Sequence, residues 1–124
     1  MSVLKFSTRA PLVALALLAA SAHPASAETL FLKCNMDSAP DVHATLTIDL
    51  TKGTVNNQPA TINETAIDWQ TPLTGAVTAT EYDHLDRTTG TMTEKITYHL
   101  AKGDRTSDPS TYTCTKTSAP AKKF

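Results

Sequence analysis

The sequence predicts an all-β domain, a small antiparallel barrel or sandwich of about seven strands, closed by one disulfide between its first and last strands. Three observations carry this expectation. Apolar and polar residues alternate with a period of two along much of the chain beyond residue 27. Thr is the commonest residue there, and its branched side chain suits a pleated, half-exposed surface better than a helix. The only two cysteines, Cys34 and Cys114, lie near opposite ends of that region. No window shows sustained helical periodicity, and 124 residues suffice for a single domain.

Residues 1–27 read as a secretory signal peptide. Lys5 and Arg9 precede an apolar run from Ala10 to Ala20, and Ala25-Ser26-Ala27 supplies a small-x-small cleavage site. The run between Pro11 and Pro24 is shorter than the roughly 20 residues that span hydrocarbon. Cleavage after Ala27 would leave Glu28 as the first residue and deliver the chain to the periplasm of a bacterium or outside the cell. The β-domain is expected over residues 28–117, with a short tail over 118–124. No membrane span is expected after the leader. Formal net charge is −1 and loss of Lys5 and Arg9 makes the remainder more acidic, which disfavours nucleic acid as a partner.

The strands follow from alternation, and the joints from turn chemistry. Leu30, Leu32 and Cys34 share a face in the first strand. Val42, Ala44, Leu46, Ile48 and Leu50 do so in the second, with Thr47 among the outward residues. Thr51-Lys52-Gly53-Thr54 turns that strand back through Val55. Ala60–Trp69 is the least regular stretch, with Ile62, Ile67 and Trp69 available to a core. Asp86-Arg87-Thr88-Thr89-Gly90 joins a strand at Tyr82–Leu85 to one at Thr91–Leu100, with Gly90 at the left-handed position of the turn. In the latter strand Met92, Ile96, Tyr98 and Leu100 share the apolar side, and Glu94 is its single polar intruder. Residues from Lys102 to Ser110 read as a polar loop before a last strand carrying Tyr112 and Cys114.

An even pair of cysteines in an exported chain predicts one disulfide, Cys34–Cys114. Neither is part of a C-x-x-C motif and no His stands at ligand spacing beside them, so a thiolate metal site is not expected.

Catalytic signals are sparse. The sequence has no G-x-S-x-G, no spare Cys and no phosphate-cradling Gly loop. Asp83-His84 beside Asp86 offers an imidazole–carboxylate pair without a marked nucleophile. Glu81, Asp83 and Asp86 are better explained as a charged solvent face than as paired carboxylates. His43 and His99 would need adjacent strands and a third ligand such as Asp49 or Glu81 to hold a metal. Exposed sheet histidines explain them more simply. Asn63-Glu64-Thr65 is a glycosylation sequon only in a eukaryotic secretory pathway. Trp69 is expected in the core. No enzyme activity, cofactor or metal is expected from these residues.

The segment Leu85-Asp86-Arg87-Thr88-Thr89-Gly90, and the run from Tyr112-Thr113-Cys114 to Lys123-Phe124, resemble a group of small exported alphaproteobacterial proteins of unknown function. Their shared pattern is a signal peptide, a first strand with a Cys, a central Trp, an apolar-Asp-Arg-x-Thr-Gly hairpin and a near-terminal Cys before a Lys-Phe ending. The resemblance implies a shared fold and carries over no catalytic residue. Lys102-Gly103-Asp104 ahead of a terminal Cys strand is also similar to the periplasmic lysozyme inhibitors, disulfide-closed barrels that block a hydrolase cleft. The Ser-Gly-x-x-Tyr loop those inhibitors insert is missing here. The expected function is therefore a non-catalytic binding or interaction protein of the cell envelope, engaging another envelope protein or a small ligand. Lys102, Asp104 and Arg105 are the expected contact residues, because the loop between Lys102 and Ser110 is the longest late polar connection.

Overall fold

Nine antiparallel strands and no helix make up the regular structure of residues 28–120, the part that the computed structural model describes. The expected leader, and the Lys-Phe ending of the tail, lie outside those residues. In chain order the strands are β1 (Thr29–Met36), β2 (Ala39–Asp49), β3 (Thr54–Val55), β4 (Gln58–Ile62) and β5 (Ala66–Leu73). They continue with β6 (Ala79–Asp86), β7 (Thr91–Leu100), β8 (Gly103–Thr106) and β9 (Ser110–Lys116). Each strand from β1 to β7 pairs with the next, and β9 pairs with both β7 and β1. The ring is thereby closed as an eight-stranded barrel, with β8 as an extra strand on the far half of β7.

Closure falls at the cysteines. Cys34 in β1 stands directly opposite Cys114 in β9, and the two are joined by a disulfide across 80 positions of sequence. Cys34 is fully buried. Gly90 is fitted to the same seam. Its amide donates to the Asp86 carbonyl and its carbonyl accepts from the Cys114 amide, both at 2.8 Å. With φ at 79° and room for a Cβ only 3.0 Å from the Cys114 oxygen, no larger residue fits without displacing the bridged strand.

The core is one cluster inside the ring. Leu32, Cys34, Leu46, Ile48, Val55, Ile67, Trp69, Leu85, Met92 and Tyr112 fill it from seven strands. The sole Trp is thus internal. Turns use the expected chemistry: Asp49 Oδ1 accepts from the amides of Thr51 and Lys52, and Gly53 has φ at 71°. Between β3 and β4, Asn56 and Asn57 both take positive φ, as a two-residue hairpin turn requires. Asn56 also accepts from the Thr47 amide and donates to the Thr45 carbonyl through its side chain, prolonging the seam beyond the two residues of β3.

Two expectations need correction. The stretch from Lys102 to Ser110 is not all loop, because Gly103–Thr106 forms β8. All four β8 residues are exposed, so the strand has no apolar face and no period-two signal. Ser107 bridges the gap to β9, its amide donating to the Ile96 carbonyl and its hydroxyl oxygen accepting from the Ile96 amide. Val42, Tyr98 and Leu100 share the parity of core residues yet are exposed. Val42 lies beyond the register irregularity at Asn35/Met36, and Tyr98 and Leu100 lie where β7 has left β9 for β8. The irregular Ala60–Trp69 stretch is a hairpin, with Asn63 Oδ1 accepting from the Thr65 and Ala66 amides at its turn.

Closing an 80-residue loop should stabilise by roughly 4–5 kcal/mol on the chain-entropy model, an upper bound when the denatured chain is partly compact. Cys114→Ser is therefore expected to lower the unfolding free energy by a few kcal/mol in urea titrations. Leu46→Ala, which empties a core position, should cost roughly 2–5 kcal/mol, whereas Thr47→Ala on the outer face should change stability by less than about 0.5 kcal/mol.

Candidate functional site

Strand parity on β6 places polar groups on both sides of the barrel wall. Leu85 points inward, so Asp83 and Glu81 do too, while Tyr82 and His84 point outward. Asp83 pairs across the ladder with Glu94 on β7 and with Trp69 on β5. The expectation of a solvent face for Glu81 and Asp83 is thus corrected: Asp83 is only 4% exposed, and Glu81 and Glu94 are half-buried. A carboxylate oxygen from each of Glu81, Asp83 and Glu94 lies within 4.8 Å of the other two. They line an interior cavity of about 180 Å³ together with Gln58, Trp69 and Thr71.

The electrostatics of this cluster follow from burial and like charge. Neither oxygen of the Asp83 carboxylate has a hydrogen-bond partner. Burial, then the neighbouring Glu81 carboxyl and the charges of Glu81 and Glu94, pushes the Asp83 carboxyl from its ordinary 3.8 up to about 9. Burial also raises Glu94, with the Glu81 charge adding to it and Tyr112 acting against it. The Tyr112 hydroxyl is raised by burial and then by the charges of Glu94, Glu81 and Asp83.

No protein-family model, no curated protein and no solved structure matches this chain. The functional reading therefore rests on the residues.

The outer face carries the other candidates. His84 Nδ1 lies 2.6 Å from Asp68 Oδ1 across the β5–β6 ladder, both side chains 51% exposed. The imidazole–carboxylate pair foreseen at Asp83 or Asp86 is thus made by Asp68, because Asp83 turns inward and Asp86 is bound to its own hairpin. Asp86 Oδ1 accepts from the Thr88 and Thr89 amides, which holds its carboxyl below the usual range, Thr89 first. Asp68, His84, Gln70, Tyr82 and Lys95 border an open groove of about 1030 Å³ on the outside of β4–β7. His43 and His99 do not meet, since β2 and β7 are not neighbours. His99 contacts Asp104 at 3.1 Å and Thr80 at 2.9 Å, and Asp49 is occupied by its turn. Lys102 lies in the β7–β8 turn, and Asp104 and Arg105 are exposed on β8 opposite His99 and Tyr98.

The inward acids were partly readable. Glu94 already stands out as the polar intruder on an apolar face, and the parity of Leu85 assigns Asp83 to the inside once β6 is extended back to Ala79.

Because the folded chain holds the Asp83 proton more tightly than the unfolded chain does, the stability it contributes is complete below pH 3.8 and is lost as pH rises through about 9. In chelated buffer, urea unfolding should therefore show stability declining from mildly acidic to alkaline pH. Asp83→Asn should flatten that decline and raise stability on the alkaline side by roughly 1–3 kcal/mol.

Proposed function

We propose that this chain is an exported, non-catalytic interaction protein of the bacterial envelope, and that it engages an extended segment of another envelope protein through the β7–β8 hairpin. The observation that carries this reading is the edge of β8. Among the described residues β8 pairs only with β7, so its other edge carries unpaired backbone donors and acceptors on an otherwise closed barrel. Such an edge adds a strand from a partner, with backbone bonds giving affinity and flanking side chains giving specificity. Tyr98 and Leu100 are exposed beside it, and Lys102 and Arg105 make its tip locally basic while Asp104 is held by His99. The complementary partner is an extended segment bearing acidic side chains.

Export supports the reading from two sides. The leader has the three parts of a secretory signal, and the disulfide suits an oxidising compartment such as the periplasm. No helix among the described residues is long and apolar enough to cross a membrane.

The test is a pull-down from periplasmic extract with the disulfide-bonded protein as bait, repeated with Lys102→Ala/Arg105→Ala. A partner retained by the wild type and lost, or weakened at least tenfold, with the double variant is the expected result. Equal capture by both removes this hairpin as the contact. Lysozyme assayed alongside should keep its activity, and inhibition would transfer the reading to a hydrolase inhibitor.

A further inference from the structure

The acidic interior is physically separate from the β8 edge and is not accounted for by partner binding there. A barrel wall has every inward position available to apolar side chains, as Leu85 and Met92 show one rung away. Placing Asp83 directly across from Glu94 puts two like charges side by side, an arrangement that destabilises a sheet. Adding Glu81 brings a third carboxylate to the same space. Stability alone gives no reason for this choice.

The second observation is the state of Asp83 itself. Asp83 is only 4% exposed, it lines the cavity, and neither of its carboxylate oxygens has a partner. Buried polar groups are nearly always satisfied, and a carboxylate with both oxygens orphaned points to a missing ligand. The cavity of about 180 Å³ has room for an ion with waters of its own.

We propose that Glu81, Asp83 and Glu94 bind one oxygen-preferring divalent cation inside the barrel, with calcium the best match. The three carboxylate oxygens lie within 4.8 Å of one another, the span that a single ion bridges at calcium–oxygen distances of roughly 2.3–2.6 Å. All donors are hard oxygens, which disfavours zinc or copper. The Gln58 and Thr71 side chains, which line the same cavity, supply neutral oxygens, and water completes the shell. A divalent ion leaves one net negative charge among the three carboxylates, whereas an organic ammonium would leave two. Glu81 and Glu94 are half-buried, so the ion reaches the cluster past them.

The experiment uses the disulfide-bonded protein after chelation, titrated with terbium, a luminescent calcium substitute. Trp69 is the only Trp in the chain and lines the cavity, so it sensitises emission from an ion bound there. The expected result is saturable emission at one ion per chain, displaced by calcium, with calcium also raising the melting temperature. Glu81→Gln and Glu94→Gln should each weaken binding at least tenfold, Asp83→Asn should abolish it, and the exposed control Asp68→Asn should leave it unchanged. Intact disulfide and near-ultraviolet circular dichroism establish that each variant is folded. The proposal is overturned by an absence of sensitised emission together with a melting temperature indifferent to calcium, magnesium and manganese. It is equally overturned by unchanged binding in folded Asp83→Asn, or by stabilisation from an alkylamine but from no divalent ion. None of these outcomes bears on the hairpin pull-down.

Discussion

The β1–β9 seam is the constraint on which the rest of the molecule depends. Seven of the eight pairings in the ring arise between strands that follow each other closely in sequence or share the β7 hairpin region. The last one joins the two ends of the domain and has to be reached across almost the whole chain. Long-range pairings of that kind carry the largest loop-closure entropy. The Cys34–Cys114 bridge removes much of that cost by restricting the unfolded chain, whose two ends it already holds together. Gly90 then locks β7 to the bridged strand through the Cys114 amide, and Thr117 extends the seam by donating to the Phe31 carbonyl. With the ring shut, inward and outward positions become fixed on every strand.

That fixed parity is what gives the acidic cluster its meaning. In an open or slipping sheet, Asp83 would rotate to water at little cost. In a closed ring its phase is set by Leu85 on one side and by Ala79 at the strand's start, both buried. The carboxyl must therefore either keep a proton or find a cation. The fold's rigidity and the cluster's unusual protonation are two sides of one arrangement, and a ligand that satisfied Asp83 would stabilise the barrel by mass action.

Much of this was legible in the residues. Alternation through Leu46 and Ile48, the Asp86–Gly90 hairpin and the two distant cysteines pointed to a disulfide-closed antiparallel fold, and the barrel is the member of that class observed. β8 was illegible for a physical reason: a strand exposed on both faces has no apolar alternation to read. The inward acids were hidden by a short reading of β6. Over Tyr82–Leu85 alone, the aromatic Tyr82 competes with Leu85 for the inside, and the two have opposite parity. Only the longer strand, with Ala79 also buried, decides the phase against Tyr82 and carries Asp83 and Glu81 inward. The His84 partner was missed because Asp68 is distant in sequence and adjacent only through the β5–β6 register.

Amide hydrogen exchange on the oxidised and the reduced protein tests the central claim, that one seam closes the ring, most directly. In the oxidised protein the amides bonded across β1–β9, and the Cys114 amide bonded to Gly90, should exchange only with global unfolding. On reduction, protection should fall first along β9 and β1, while the β5–β6 ladder keeps the highest protection that remains. Rapid exchange at Cys114 in the oxidised protein, or a reduced protein that opens first between β5 and β6, would contradict the account.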